Sequence, residues 1–183
     1  MKNIVEVRTL RGQLHAKISG IEKKSGGIYC WWFKENAAKQ LLRQLPLSPS
    51  ELNKIQTRVI EGTEYLALYF GISSKDLFSR FKWHILQTHS NSSIKYGTIS
   101  TLRQTLSALL NKNLSVSEKC INDFMDENSY LEWEYSDSPD PEVTEKKELS
   151  SGQKCYPLNI QKNQTVSKDV RHELTSLRKK YKL

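Results

Sequence analysis

The sequence predicts an α+β fold: a small mixed or antiparallel sheet with helices packed around it. Three observations predict this. Two short aromatic stretches, Gly27-Ile28-Tyr29-Cys30-Trp31-Trp32-Phe33 and Tyr65-Leu66-Ala67-Leu68-Tyr69-Phe70-Gly71, carry strand-forming residues. Other stretches space their apolar residues for helices, as Ala38, Leu41, Leu42 and Leu45 do. The 183 residues contain no internal repeat and suit one domain with additions.

Taken in order, residues 3–10 alternate as a strand, which Leu14, Ala16 and Ile18 extend or pair with. Ser25-Gly26-Gly27 turns into the first aromatic strand. A helix over Glu35–Leu45 ends at Pro46 and Pro49, Leu52–Val59 is ambiguous, and Glu61-Gly62-Thr63 turns into the second aromatic strand. Gly71 is expected to ease the turn into the next helix, whose buried stripe is Leu77, Phe81 and Ile85 and whose cap is Ser73 or Ser74. His89–Gly97 reads as a polar loop and Ser100–Leu110 as a helix. Ser115 and Glu118 form a capping box for a third helix ending near Asp126. Leu131–Tyr135 reads as a strand with Trp133 inward, and Asp140-Pro141 opens a helix running to about Leu149. A last helix spans Lys168–Lys182.

Period-2 counting puts Tyr29, Trp31 and Phe33 on one face of the first strand, and Tyr65, Ala67 and Tyr69 on one face of the second. Arg80 and His84 stand four apart and share a helix face. Two tyrosines, an arginine and a histidine can therefore converge above one sheet. Trp31, Trp32, Trp83 and Trp133 read as core residues.

Gly27-Ile28-Tyr29, Tyr69-Phe70-Gly71 and Arg80-Phe81-Lys82-Trp83-His84 together resemble the signature of the GIY-YIG endonucleases. Phe70 stands where the family name has isoleucine, and the two tyrosines are 40 positions apart, a longer connection than the family's usual one. The resemblance covers residues 25–163, with 34–64 as an insertion, a strand extension over 1–24 and a basic helical tail over 164–183. It implies a metal-bound carboxylate on a helix followed by a Pro-x-Asn ending. Pro157-Leu158-Asn159 supplies that ending, and Glu145, four before Leu149 and 14 before Asn159, supplies the carboxylate, with Glu142 and Glu148 three positions to either side.

The implied activity is divalent-metal-dependent hydrolysis of DNA phosphodiester bonds. That reaction needs an activated water and charge stabilisation at phosphorus. Glu145 would seat Mg²⁺ or Mn²⁺, since such an ion takes few protein ligands and keeps waters and phosphate oxygens. Arg80 offers a permanent bidentate charge. Tyr29 would orient or deprotonate the attacking water, and Tyr69 would hydrogen-bond the water or the phosphate; a base role for Tyr29 requires the metal or Arg80 to lower its pKa from about 10. His84 would relay a proton or hold the scissile phosphate. Asn159 completes the set. A protein that keeps this fold but only binds nucleic acid is the alternative.

Charge agrees with an anionic partner: the net is +8. Residues 126–148 carry nine acidic and two basic side chains, a local −7 that leaves +15 elsewhere. Lys168, Arg171, Arg178, Lys179, Lys180 and Lys182 make the tail a candidate phosphate-binding surface. No apolar run approaches the roughly 20 residues of a membrane span, and no small-molecule cofactor is implied. Cys30, Cys120 and Cys155 have no zinc spacing and fit a reducing, cytoplasmic setting.

Overall fold

A computed structural model of the chain describes residues 3–16, 25–136 and 140–182; Ile18 lies outside them. In chain order the elements are β1 (Asn3–Glu6), α1 (Val7–Ala16), β2 (Gly27–Lys34), α2 (Glu35–Leu42), α3 (Pro49–Leu52), β3 (Thr57–Ile60), β4 (Thr63–Ser73), α4 (Leu77–Ile85), α5 (Asn91–Lys95), α6 (Thr101–Leu109), α7 (Leu114–Asn128), β5 (Ser129–Tyr135), α8 (Pro141–Ser150) and α9 (Lys168–Lys180). The strands form one sheet in the order β1-β5-β2-β4-β3, with every pairing antiparallel. The fold is α+β, as the sequence predicts.

Alternation along β2 divides the core. Tyr29, Trp31 and Phe33 face a helical layer that contributes Leu10, Leu41, Phe81, Leu102, Ile121 and Leu174. Cys30 and Trp32 face the other way, with Tyr65, Ala67 and Phe70, under Leu149 of α8 and Tyr156. Both faces are thus removed from water, and each fully buried large apolar side chain contributes about 1.5–3 kcal/mol.

β4 does not alternate throughout. Trp31 pairs with Tyr69 but Trp32 pairs with Ala67, so Leu68 is an extra residue, a β-bulge. The bulge reverses parity. Tyr65 and Ala67 point to the α8 side, while Leu68 and Tyr69 join Tyr29 and Trp31 on the helical side. The expectation that Tyr65, Ala67 and Tyr69 share a face is therefore corrected, because strict period-2 counting cannot register an inserted residue.

Gly71 also differs from expectation. It lies within β4, directly opposite Tyr29, rather than at the turn into α4. A Cβ there would come well under 3.0 Å from the Tyr29 ring and hydroxyl, so glycine is required for close approach, not for turning. The hairpin glycine is Gly62, which with Glu61 takes positive φ, 78° and 49°, between β3 and β4.

Other departures are local. The first strand stops at Glu6, because Val7, Leu10 and Leu14 are spaced for one buried helical stripe, that of α1. The serine-rich segment after His89 holds α5, capped by the Ser90 hydroxyl, which accepts from the Ser93 amide. Pro49 does more than end a helix: it opens α3 behind a capping box formed by Ser48 and Glu51. Ser115 and Glu118 form no capping box on α7, which is already helical at Leu114; the Glu118 carboxylate accepts from the His89 amide instead. α9 docks through buried Val170, Leu174 and Leu177.

Gly71→Ala is expected to destabilise the protein by about 1–3 kcal/mol, the usual cost of overpacking. In a Tyr29→Ala background most of that cost should vanish. Denaturant unfolding of wild type, the two single variants and the double variant checks this. A Gly71→Ala cost undiminished in the Tyr29→Ala background would refute the close-approach explanation.

Candidate active site

The bulge and Gly71 bring two phenols to one face. The Tyr29 and Tyr69 ring centroids are 6.4 Å apart, their planes inclined by 31°. α4 then delivers Arg80 and His84 beside them. Its cap is Asp76, not Ser73 or Ser74: one carboxylate oxygen accepts from the amides of Phe78 and Ser79 at 2.9 and 3.3 Å. Ser73 instead brackets Asp76, accepting from its amide and donating to its carbonyl. Leu77, Phe81 and Ile85 form the buried stripe, as expected.

Two guanidiniums hold the far end of α4. Arg103 of α6 is fully buried and donates to the carbonyls of His84 and Ile85, to His89 Nε2 at 2.8 Å and to Asn122. Arg11 of α1 donates to the Ile85 carbonyl and pairs with Asp126 at 2.8 Å. Positive charge is favourable at a helix C-terminus, although burial pulls Arg103 down to about 10.

His84 is fully buried and both ring nitrogens are engaged. Nε2 lies 2.7 Å from the Tyr29 hydroxyl and Nδ1 2.6 Å from Ser100 Oγ. Burial, with Arg80 and Arg103 adding repulsion, holds its pKa well below the usual value, so the imidazole is neutral near pH 7. It sits directly behind Tyr29, against that residue's hydroxyl. Thr101 Oγ1 stands 3.2 Å from the Tyr69 hydroxyl. The N-cap and the first residue of α6 thereby supply a hydroxyl to each arm of the site. Sequence reading missed both, since a Ser-Thr pair at a helix start signals only a cap.

The Tyr29 phenol is raised well above 10, first by burial and then by Tyr69, with Glu145 adding to the rise; Arg80 opposes this and is outweighed. Tyr69 is raised too, mainly by burial, against its hydrogen bond to Thr101 and the charge of Arg80. The lowering by Arg80 that a phenolate base requires is therefore present but insufficient in this structure.

Tyr29, Tyr69, Arg80, Thr101, Glu142 and Glu145 line a common cleft of about 500 Å³. Trp83 lines it as well, half-buried, which corrects its reading as a core residue; Trp31, Trp32 and Trp133 are buried as expected. The Arg80 guanidinium lies over the Trp83 ring, 4.8 Å from its centroid. Glu145 is half-buried; burial raises its pKa, Lys162 and Arg80 pull it back, and Glu142 pushes it up again. Glu148 points elsewhere. It pairs with Lys154 at 3.0 Å and accepts from the Tyr156 hydroxyl in a smaller hollow of about 210 Å³ on the opposite face. None of the residues lining the cleft comes from 34–64.

Asn159 is buried outside the cleft lining. Its side chain accepts from the Phe70 amide at 2.9 Å and donates to the Phe70 carbonyl at 2.7 Å, bracing β4 between Tyr69 and Gly71. Among the tail residues, Lys168, Lys179, Lys180 and Lys182 are exposed. Arg171 and Arg178 are half-buried, and Arg178 donates to the Gln104 side chain at 2.6 Å. Among the described residues, no group of three or more His, Cys, Asp or Glu side chains could hold a metal ion, and no helix is long and apolar enough to cross a membrane.

Comparison with known families gives a match to the GIY-YIG catalytic domain over residues 27–180, from the first residue of β2 to the last of α9. No match was found among curated proteins or solved structures. The matched span takes in most of the chain, both signature tyrosines, α4 and α8, and the chain belongs to the GIY-YIG catalytic domain family, a family of endonucleases.

Proposed function

We propose that this protein is a divalent-metal-dependent endonuclease that hydrolyses DNA phosphodiester bonds in the cleft between α4 and α8. The carrying observation is the Tyr29–His84–Ser100 hydrogen-bond chain, which ends on the same cleft as Arg80 and Glu145.

The proton path follows from the neutral imidazole. With Nδ1–H directed at Ser100, Nε2 accepts the Tyr29 O–H. As water attacks phosphorus and the bond from phosphorus to the leaving sugar oxygen breaks, Tyr29 takes a proton from the water while its own passes to His84, and the leaving oxygen takes its proton from solvent. Tyr29 thus serves as a conduit and needs no standing phenolate, which its raised pKa disfavours. Tyr69, held by Thr101, orients the water or a phosphate oxygen. Arg80 meets the charge that develops on the phosphate.

The donor set fits one Mg²⁺ or Mn²⁺. Glu145 is a half-buried carboxylate whose desolvation a cation would offset, and Glu142 stands in the same cleft. Bound there, the ion would acidify a coordinated water and neutralise phosphate charge. Asn159 is assigned to hold β4 in register. The exposed tail lysines are assigned to sequence-independent phosphate contacts, which suit a DNA partner. Cys30, Cys120 and Cys155 are in no disulfide among the described residues, which fits a reducing compartment such as the cytoplasm.

Supercoiled plasmid incubated with Mg²⁺ or with EDTA tests the activity. Cleavage is expected with Mg²⁺ alone, and Glu145→Ala should abolish it with unchanged circular dichroism. Arg80→Lys, lacking the bidentate fork, should lose nearly as much rate as Arg80→Ala, about 10²–10³-fold, with far smaller loss of DNA affinity in Ca²⁺. Binding without cleavage under every divalent cation would favour a non-catalytic nucleic-acid-binding module.

Folding holds the His84 pKa below its unfolded value near 6.5. Below about pH 6.5 the unfolded chain gains a proton there that the folded chain refuses. This site's contribution is therefore complete above about pH 6.5 and is lost on acidification, at up to about 1.4 kcal/mol per pH unit, until the folded pKa is reached. Denaturant unfolding between pH 7.5 and 5 should show a steeper loss for wild type than for His84→Asn. Equal slopes would refute the buried neutral state.

Deleting α9 would expose its apolar stripe, so substitution is the cleaner test of the tail. Changing Lys168, Lys179, Lys180 and Lys182 to Gln should leave unfolding unchanged and flatten log affinity against log salt by about 0.9 for each phosphate no longer neutralised. An unaltered slope would place the DNA elsewhere.

A further inference from the structure

We propose that Trp83 is a positioning residue for Arg80, presenting its indole face as the platform that aims the guanidinium into the cleft. The inference rests on the nuclease reading above. Arg80 and Trp83 stand three apart on α4, neighbours on one helix face. The guanidinium carbon lies 4.8 Å from the indole centroid, and both residues line the cleft. The indole is itself held. Its Nε1 donates to the Thr98 carbonyl at 3.2 Å, and that carbonyl also accepts from the Gln87 side chain at 2.7 Å.

The kind of contact matters. An arginine paired with a carboxylate spends its N–H fork on that partner, and Glu142 and Glu145 stand across the same cleft. Among the described residues, Arg80 has no carboxylate within ion-pair distance. A stack engages only the face of the guanidinium and leaves the fork in its plane available for two phosphate oxygens. It also removes rotamer freedom from a long side chain before substrate arrives. Arg80 is thus preorganised without being neutralised, and Glu145 stays available to a cation.

The test is a double-mutant cycle in single-turnover DNA cleavage with Mg²⁺, using wild type, Trp83→Leu, Trp83→Phe, Arg80→Ala and Trp83→Leu with Arg80→Ala. Trp83→Leu should slow cleavage about tenfold, Trp83→Phe should keep most of the rate because it retains an aromatic face, and Trp83→Leu should cost nothing further once Arg80 is gone. Equal losses in both Arg80 backgrounds would overturn the proposal, as would an effect confined to DNA affinity in Ca²⁺, which would make Trp83 a base-stacking contact. Without DNA, NMR of the free protein should show the Arg80 side-chain protons shifted upfield by the indole in wild type and released in Trp83→Leu. A wild type that cuts no DNA overturns the nuclease reading, whereas an Arg80 lacking that shift overturns the stack.

Discussion

Leu68 is one residue more than β2 can match, and this surplus sets the direction of everything downstream on β4. Without it, Tyr69 would point with Tyr65 and Ala67 into the α8 side of the sheet, away from Tyr29. With it, both phenols face the same helices, Gly71 comes to lie under the Tyr29 ring, and the chain leaves the sheet aimed to place α4 across that face. The ladder is locally disrupted at the bulge, and the adjoining backbone finds other partners: the Leu68 carbonyl accepts from the Leu158 amide, and the Phe70 peptide is matched by the Asn159 carboxamide. Bulge and brace belong to one device.

The second constraint is desolvation. Tyr29, His84 and Arg103 lie almost wholly out of water, and each is tolerable only in a particular ionisation state or with its donors satisfied. The outcome is a graded arrangement. The neutral Tyr29 and His84 sit deep, while the charged groups that would meet phosphate and cation in the proposed reaction, Arg80 and Glu145, stand at the half-buried rim. Arg103 links the layers, since it bonds the last carbonyls of α4 and belongs to the helix that carries Ser100 and Thr101.

Much of this is legible in the residues themselves. The tripeptides, the four-residue step from Arg80 to His84 and the acidic helix lead to Tyr29, Tyr69, Arg80 and Glu145, which do meet in one cleft. What stays hidden has identifiable causes. A bulge leaves no mark in an alternating apolar pattern. Ser100 and Thr101 look like any helix start, and their second partners come from residues 16 and 32 positions away. Glu148 and Glu145 differ by one turn on α8, which is enough to send them to different hollows. Trp83 stands in a mostly apolar run, so composition offers no cue that it faces the cleft.

Asn159 has a consequence for how the molecule meets its neighbours. β3 covers β4 only as far as Leu66, beyond which the outer rim of β4 would present unsatisfied peptide groups to any passing chain. The Asn159 carboxamide offers one donor and one acceptor in the spacing of a peptide unit and occupies the Phe70 position as a strand would, without being one. A side chain with no further residues in line cannot propagate a ladder. The sheet therefore ends at this rim, and the stretch bearing Tyr69 is closed to strand exchange between copies.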